Sequence, residues 1–313
     1  MSTMRVVVTG SHGLIGTALL DALRARGDEP VRLVRRPASA DQTGAPGQPE
    51  PPADIAWDPA EEVLDPASLE GIDAVVHLAG VGIASRRWSS SQRSRIWASR
   101  VDATRLLART LASLSRPPSV LVSASAVGYY GSRGDELLDE DSRPGPGFLP
   151  ELCVAWEDAT TPATEAGIRV VRLRSGIVLA RHGGVLRPQL LVFKLGLGGR
   201  LGSGRQYVSW IALEDEVAAI LYLLGQPSLS GPVNAVSPGL VTNQELTRTL
   251  ARLVSRPAML VAPAPVLRLA LGAGFADELL LASQRVWPKR LLEHGFQFGQ
   301  PELEGALRSV LSA

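Results

Sequence analysis

Apolar and polar residues alternate in two patterns at the start of the chain. Residues 4–10, MRVVVTG, form a short β-branched run that predicts a strand buried on both faces. From Leu14 to Arg26 apolar residues recur at helical spacing and Gly27 supplies a stop, which predicts a helix. Residues 30–36, PVRLVRR, predict a second strand. These elements make one βαβ unit with parallel strands and a right-handed crossover.

Strand and helix patterns keep alternating as far as about residue 180. The strand-like runs cover residues 72–80, 119–125 and 168–180, and the helical patterns cover residues 89–114 and 150–166. Residues 37–54, rich in Pro, Gly and Ala, predict an exposed, mobile loop. The alternation predicts an α/β fold, a Rossmann-type doubly wound parallel sheet.

Beyond residue 180 the alternation of strand and helix patterns becomes less regular. A glycine-dense loop at 196–206 is followed by predicted helices at 213–225 and 243–254 and a short strand at 231–236. From residue 257 the segments are Leu- and Ala-rich, helical and interrupted by proline. We therefore predict a Rossmann domain over residues 1–255, with substrate-lobe segments from about 180, and a small, mostly helical C-terminal domain over residues 256–313.

Composition narrows the class of protein. Apolar residues make up 45% of the 313 residues and charged residues 20%, values typical of a globular protein, and the net charge of +1 gives no strong field for nucleic acid or a membrane surface. No run is apolar enough to span a bilayer, and the start lacks the pattern of a signal peptide. Cys153 is the single cysteine, which excludes an intramolecular disulfide, and the four histidines lack the spacing of metal ligands. We expect a cytoplasmic enzyme or ligand-binding protein.

The turn TGSHGLIG carries the first candidate chemistry. Gly10, Gly13 and Gly16 follow a predicted strand and open a predicted helix. Such glycines permit a sharp turn, close approach of a pyrophosphate to the main chain and tight helix–strand packing, while the N–H groups of the helix start face the phosphates. A structural turn is the alternative, but the flanking strands favour a dinucleotide site.

The end of the second strand indicates which dinucleotide is bound. An NAD site places Asp or Glu about 20 residues beyond the glycines, whereas this chain has Arg35 and Arg36. Two guanidinium groups suit a 2′-phosphate, which favours NADP(H) over NAD(H). Two solvated surface arginines are the alternative interpretation.

Several motifs together resemble a known family. In order and spacing, TGSHGLIG, HLAG, SASAVGYYG and LRSGIVLA resemble the extended short-chain dehydrogenase/reductase family. With WIALED, GPVNAVSP and VWPKRL they resemble its atypical branch of NAD-dependent epimerase/dehydratase-like proteins of SDR39U1 type, which end in a small C-terminal domain. The resemblance covers essentially the whole chain.

The resemblance implies positions for the cofactor. Around the pyrophosphate it places Gly10, Ser11, Gly13, Leu14, Ile15 and Gly16; along the adenosine-side ribose and diphosphate it places Leu78, Ala79 and Gly80. Near the nicotinamide and its ribose it places Ser123, Ala124, Ser175, Gly176 and Ile177. All of them lie at or beside carboxyl ends of predicted parallel strands, where ligands bind in open α/β sheets.

The sequence departs from the family at the catalytic pair. Typical relatives carry Tyr-x-x-x-Lys on the helix after the fifth strand, but here Leu149 and Cys153 occupy those positions. Ser125 matches the serine that orients the substrate oxygen, and Tyr129 is the substitute acid/base that we expect, its pKa lowered by Arg86, Arg87 or Arg100. The alternatives are that Tyr129 and Tyr130 only pack beside the pocket, and that Cys153 is a buried, inert thiol.

Two loops supply candidate substrate contacts. Arg86, Arg87 and Trp88 follow the fourth strand and suit an anionic or planar substrate. The glycine-rich segment 196–210 is a candidate lid, with Arg205 and Gln206 as contacts. For both, an ordinary surface cluster or loop is the alternative.

Two functions follow from these features. The first is an NADP(H)-dependent oxidoreductase or epimerase-like enzyme acting on an unidentified small polar substrate. The second is a non-catalytic NADP(H)-responsive protein, which the absent Tyr–Lys pair favours. The sequence does not indicate the oligomeric state.

Overall fold

The computed structural model describes residues 3–35, 54–84, 86–181 and 183–312. Arg36 and residues 37–53 of the expected loop lie outside the described residues. Within the described ranges, no helix is both long and apolar enough to cross a bilayer.

The first part of the chain alternates strands and helices as expected. Its elements are β1 (Arg5–Thr9), α1 (Leu14–Arg26), β2 (Glu29–Arg35), β3 (Ile55–Trp57), β4 (Ala74–His77), α2 (Ser90–Trp97), α3 (Ala103–Ala112), β5 (Val120–Ala126), β6 (Leu137–Leu138), α4 (Phe148–Asp158), α5 (Thr161–Glu165), β7 (Arg169–Ser175) and β8 (Ile177–Leu179). Short 3₁₀ helices cover Pro66–Leu69 and Val127–Tyr130.

The second part begins at α6. Its elements are α6 (Leu186–Lys194), β9 (Gly199–Leu201), β10 (Tyr207–Val208), β11 (Trp210–Ala212), α7 (Leu213–Leu224), β12 (Gly231–Ala235), β13 (Val241–Thr242), α8 (Asn243–Leu253), β14 (Leu260–Ala262), α9 (Ala264–Leu271), α10 (Ala273–Phe275), β15 (Arg285–Val286), α11 (Lys289–Glu293) and α12 (Leu303–Ser312).

The predicted doubly wound sheet is confirmed. Among the described residues, seven parallel strands pair in the order β12-β7-β5-β4-β1-β2-β3. Val6, Val7 and Val8 are fully buried, because α1 and α7 cover one face of the sheet while α3 and α5 cover the other. The strands end together at one edge, where the order reverses between β1 and β4, and a cleft opens there.

The helix predicted over residues 89–114 is one helical run with an irregular centre. α2 and α3 are joined by a π-helical segment, Ala98–Asp102. The helix predicted over 150–166 is likewise two helices, α4 and α5. Apolar periodicity detects the buried face of a helix but does not show where its hydrogen-bond ladder changes.

The C-terminal portion is mostly helical, as predicted, and packs on earlier segments. The glycine-dense segment expected to be a loop contains strand β9, which pairs with β14, and β15 pairs with β6. α12 packs on α8 in a separate core cluster around the buried Trp210. The domain boundary at residue 255 stays a prediction, since strand pairs connect the chain on both sides of it.

Candidate functional site

The turn after β1 requires its glycines. Gly10 has a φ of +66°, and a Cβ there would lie 2.7 Å from the Leu78 carbonyl carbon. A Cβ on Gly16 would overlap the Gly10 carbonyl oxygen, and one on Gly13 would lie 3.1 Å from it. Gly13 is the N-cap of α1, whose first turn carries no acidic residue. The turn thus brings bare main chain and a helix start together, which is the arrangement that binds a pyrophosphate.

Ser11 adds a free hydroxyl to this turn. Its side chain is 4% exposed, and its Oγ has no hydrogen-bond partner among the described residues. Leu14 and Ile15 continue the turn into α1, and their contact with the pyrophosphate stays a prediction. A buried hydroxyl without a partner is costly, so an oxygen-rich ligand at this turn would satisfy it.

The exits of β1 and β4 are fixed to each other by buried hydrogen bonds. Thr9 Oγ1 accepts from the Leu78 and Ala79 amides at 3.0 and 3.1 Å. The fully buried His77 ring lies between Thr9 Oγ1, at 2.8 Å, and Thr104 Oγ1, at 3.0 Å. Burial lowers the pKa of His77 to about 4, so the ring is neutral and structural.

A cleft of about 750 Å³ runs from the glycine turn to the end of β2. Arg35 and Gly80 both line it. Its lining comprises residues 10–13, 33–35, 57, 59, 60, 62, 78–81, 95, 98, 99, 102 and 103. It combines the main chain of the glycine turn with two cations, Arg35 and Arg95, and two carboxylates, Glu62 and Asp102, and a cleft of this size beside such a turn suits the adenosine half of a phosphorylated dinucleotide.

The residues expected at the nicotinamide lie at the ends of β5 and β7. Ser123 is 1% exposed, and within the described ranges its Oγ has no hydrogen-bond partner, while Ala124 next to it is half-buried. A Cβ on Gly176 would lie 2.8 Å from the Ser209 carbonyl oxygen, and Ile177 pairs with Trp210. This end of the sheet is closely packed.

Ser175 contacts a buried carboxyl group. Its Oγ donates to Glu216 Oε1 at 2.5 Å, and Glu216, in the first turn of α7, is fully buried. Burial raises the pKa of Glu216 to about 7. The Ser175 hydroxyl is therefore held by α7 at the edge of the sheet.

Ser125 belongs to a buried ion-pair network. Its Oγ donates to Glu157 Oε1 at 2.7 Å, and Glu157 accepts two hydrogen bonds from Arg174, at 2.7 and 2.8 Å. Both charged side chains are 5% exposed or less. Because its one proton is directed at Glu157, the Ser125 oxygen can accept a further hydrogen bond but not donate one.

The two neighbouring tyrosines have different environments. Tyr130 is fully buried, donates to Asn234 Oδ1 at 2.7 Å and accepts from Arg174 at 3.0 Å, and burial raises its pKa. Tyr129 is half-buried, with the Arg174 guanidinium 3.5 Å from its ring centroid. The structure thus brings Arg174 to Tyr129, rather than the Arg86, Arg87 or Arg100 that we expected.

The positions of the absent catalytic pair are filled by packing. Leu149 and Cys153 are buried on α4, against the 3₁₀ helix that contains Gly128. Burial, with the nearby Glu157 charge, raises the pKa of Cys153 to about 12. The interpretation of Cys153 as a buried thiol is confirmed, and such a site is unfavourable for a nucleophile, which needs a lowered pKa and access to solvent.

The expected substrate contacts take part in packing between the two parts of the chain. The indole of Trp88 lies edge-on to Phe148 and Phe275, and the Arg87 guanidinium donates to the Ala270 carbonyl oxygen. The side chain of Arg86 is exposed. Their role toward a substrate stays a prediction.

The candidate lid is likewise held to its neighbours. Gln206 is 6% exposed and donates to the carbonyl oxygens of Leu201 and Leu280, whereas Arg205 is exposed. The substrate role of both residues stays a prediction. In the part of the chain that the structure describes, no group of three or more His, Cys, Asp or Glu side chains is arranged to hold a metal ion.

Sequence reasoning missed the interaction of α4 with the C-terminal portion. Glu278, in the π-helical segment Ala276–Leu280, accepts from the main-chain amides of Phe148 and Leu149 at 3.2 and 2.7 Å. No motif marks this contact, since the residues are about 130 positions apart. It also missed the pairing of Glu157 with Arg174, which only the packing of α4 on β7 brings together.

Two family models match the chain. The one described as the NAD dependent epimerase/dehydratase family matches residues 6–151. The one described as a domain of unknown function, DUF1731, matches residues 262–310.

Relatives match the chain over its length. The epimerase family protein Mb2239 of Mycobacterium bovis is 46% identical over 98% of this chain and 97% of its own. The crystal structure of human epimerase family protein SDR39U1 (isoform 2) with NADPH is 34% identical, with a TM-score of 0.86 and 99% of each chain covered. A nucleoside-diphosphate sugar epimerase from Corynebacterium glutamicum is 35% identical with a TM-score of 0.79; the match covers 99% of this chain and 58% of that one.

Proposed function

The chain belongs to the NAD-dependent epimerase/dehydratase family, in the group of SDR39U1-like epimerase family proteins with a C-terminal DUF1731 domain, and we propose that it is an NADP(H)-dependent oxidoreductase or epimerase-like enzyme acting on a small polar substrate. The observation that carries the proposal is the cleft between the glycine turn and Arg35. The NADPH in the crystal structure of the human relative supports the choice of NADP(H).

Different residues of the cleft would hold different parts of the cofactor. The N–H groups at the start of α1 would hold the pyrophosphate, and Leu78, Ala79 and Gly80 also line the cleft. Arg35 would bind the 2′-phosphate of NADP(H), together with Arg36, which follows it in the sequence outside the described residues. When bound, NADP(H) supplies or accepts a hydride at its nicotinamide ring.

Tyr129 exchanges the proton, and Ser125 orients the substrate. Ser125 directs its proton to Glu157, so its Oγ can accept a hydrogen bond from a second, non-reacting hydroxyl of a polar substrate. Tyr129 moves the proton to or from the reacting oxygen, and the Arg174 guanidinium lies 3.5 Å from its ring centroid. Ser125 thus orients the substrate, while Tyr129 alone exchanges a proton with the reacting oxygen.

A second function is favoured by α4. Leu149 has no proton to transfer and the Cys153 thiol has a raised pKa, so neither of these two α4 positions supplies an acid or base. On this observation the alternative proposal is a non-catalytic protein that binds NADP(H) and changes its association with a partner. The cytoplasmic location and the absence of nucleic-acid and membrane partners stay predictions.

The test combines cofactor binding with turnover. We expect calorimetric titration to show tighter binding of NADPH than of NADH. We further expect NADPH consumption with a member of a panel of small ketones and aldehydes, lowered by about 100-fold in Tyr129→Phe with NADPH binding retained. Tyr222→Phe, which removes the phenolic hydroxyl that contacts the His294 carbonyl on the surface, is the matched control and should keep full turnover.

Each other outcome has a defined meaning. Tight NADPH binding without turnover on the whole panel would contradict the enzyme proposal and support the non-catalytic NADP(H)-binding protein. If neither coenzyme binds, both proposals are wrong.

A further inference from the structure

A second cavity, of about 430 Å³, is lined by residues of α6, α8, β9 and β14. Among the described residues it shares no lining residue with the cofactor cleft. Phe193 on α6 and Leu246 on α8 are two of its buried lining residues. Cavities of this size hold small organic molecules, so the chain has a second candidate ligand site.

The wall of this cavity is apolar and uncharged. Of the described side chains that line it, none carries a charge. Four of its apolar lining residues are between 43% and 56% exposed, namely Val192, Leu197, Leu260 and Val261. Apolar side chains grouped at a concave surface lose contact with water when an apolar ligand covers them, which stabilises the complex.

Two polar side chains of α8 also line the cavity, and both have hydrogen-bonding capacity left. Thr247 is 4% exposed, and within the described ranges its hydroxyl makes no hydrogen bond. The buried Thr110 on α3, in contrast, donates to the Leu106 carbonyl oxygen at 2.9 Å. Asn243 is 8% exposed, and its Nδ2 donates to none of the described residues. Nearly buried polar groups of this kind require a partner, which a ligand in the cavity would supply.

The orientation of the Asn243 amide is fixed by its other contacts. Its Oδ1 accepts from the Leu201 main-chain amide of β9 at 2.9 Å, and its own main-chain amide donates to the Gln206 carbonyl oxygen at 2.8 Å. Thr247 lies four residues further along α8, so the two side chains are neighbours on one face of the helix. The Asn243 NH₂ group and the Thr247 hydroxyl therefore form a pair of donors beside the apolar wall.

We propose that this cavity binds an uncharged, mainly aliphatic molecule that carries one carbonyl oxygen. The aliphatic part covers the exposed apolar side chains of α6 and β14, and the oxygen accepts hydrogen bonds from Asn243 Nδ2 and Thr247 Oγ1. A carboxylate or phosphate would lose its hydration there without gaining a counter-charge from the lining. The inference goes beyond the proposed function and does not depend on NADP(H).

The experiment uses the full chain without cofactor and an uncharged fluorescent probe. N-Phenyl-1-naphthylamine, whose emission rises in apolar surroundings, is titrated into the protein and then displaced by 2-nonanone or by nonanoate. We expect a saturable rise in emission and displacement by 2-nonanone. Nonanoate has the same chain length but a charged end, and it should displace the probe at least about tenfold less well.

Thr247→Val tests the polar contact, because it removes the hydroxyl and keeps the shape of the side chain. It should weaken 2-nonanone binding by about fivefold and leave the affinity for the probe unchanged. Since this hydroxyl has no partner in the protein, the thermal unfolding midpoint should stay the same or rise, whereas a structural role would lower it.

Val192→Glu tests the apolar wall. A carboxylate at this exposed position of α6 should weaken binding of both the probe and 2-nonanone by at least about tenfold. Leu191→Glu is the matched control, because Leu191 is 64% exposed on the same helix and is not a lining residue of the cavity. It should change neither affinity.

Five results would overturn the inference. They are no saturable binding of the probe, no displacement by 2-nonanone, equal displacement by nonanoate, an unchanged 2-nonanone affinity in Thr247→Val, and equal losses in the two glutamate variants. Light scattering adds a sixth: a dimer that Val192→Glu separates would show that a second copy of the chain covers this face. None of these measurements involves NADPH, so failure here and failure of the proposed function are distinguishable.

Discussion

At the scale of single residues, the buried Arg174–Glu157 ion pair contacts both candidate catalytic side chains, Ser125 and Tyr129. Arg174 contacts Glu157 with two hydrogen bonds, Tyr130 with one, and the ring of Tyr129 with its flat face. Ser125 completes the group through Glu157. The orientation of both candidate catalytic side chains thus depends on the Arg174–Glu157 pair.

Removing one partner of this pair should be costly. Glu157→Gln and Arg174→Met should each lower the free energy of unfolding by about 3 kcal/mol or more, because the remaining charge stays buried without a partner. Urea unfolding of each single variant and of the double variant measures this. We expect the double variant to lose clearly less than the sum of the two, since no charge is left unpaired.

The exposed pair Arg252–Glu304 supplies the control. Its side chains are 63% and 39% exposed, and Glu304 also pairs with Arg308, so solvent screens these pairs and Glu304→Gln should lower the free energy of unfolding far less than either buried variant. Equal losses at the buried and exposed pairs, or strictly additive losses in the double variant, would show that the buried pair is not coupled.

At the scale of elements, α4 is held by the C-terminal portion. Gly147, its N-cap residue, offers no side chain, and Glu278 supplies the acceptor from the distant Ala276–Leu280 segment. The carboxylate also complements the positive end of the α4 dipole. The helix that carries Leu149, Cys153 and Glu157 is therefore positioned by a residue of the DUF1731 segment.

Loss of this cap should destabilise the packing of the two parts. Glu278→Ala should lower the free energy of unfolding by about 1 kcal/mol, because two amides at the start of α4 lose their acceptor. Glu278→Gln should cost less, since its amide oxygen still accepts. Denaturant unfolding monitored by tryptophan fluorescence checks both.

Glu293→Ala is the control for this prediction, because Glu293 is exposed at the end of α11. If Glu278→Ala is no more destabilising than Glu293→Ala, the cap does not hold α4.

At the scale of the whole molecule, two buried groups give opposite pH dependences. Burial lowers the pKa of His77 to about 4, below its ordinary 6.5, so its contribution to stability is lost as the pH falls from 6.5 toward 4. Burial raises the pKa of Glu216 to about 7, above its ordinary 4.5, so its contribution is lost as the pH rises from 4.5 toward 7. Between pH 4.5 and 6.5 the two effects oppose each other.

Glu216→Gln isolates the histidine. Between pH 7 and 5.5 the free energy of unfolding of this variant should fall by about 1 kcal/mol relative to the unsubstituted chain, because the opposing carboxyl has been removed. Urea unfolding of both proteins in one buffer series measures the difference, in which the other titrating groups cancel. The same pH profile for both proteins would show that Glu216 does not titrate in this range.

The sequence by itself determined the sheet and the cofactor turn. Buried parallel strands such as β1 and β4 appear in the sequence as short apolar runs. The helix α1 ends at Gly27, where a φ of +86° favours glycine. Gly10, Gly13 and Gly16 are required by contacts within one βαβ unit and with the next strand, so local spacing was enough to find them. Each of these features depends on contacts among a few neighbouring residues.

Only the tertiary structure decided which polar groups are free to act. Tyr129 and Tyr130 are adjacent in the chain, yet one is half-buried and the other is enclosed by Arg174 and Asn234. The hydrogen bond from Ser125 to Glu157 likewise follows from a contact between separate elements. Burial and pairing are set by residues far apart in the sequence, so no local pattern records them.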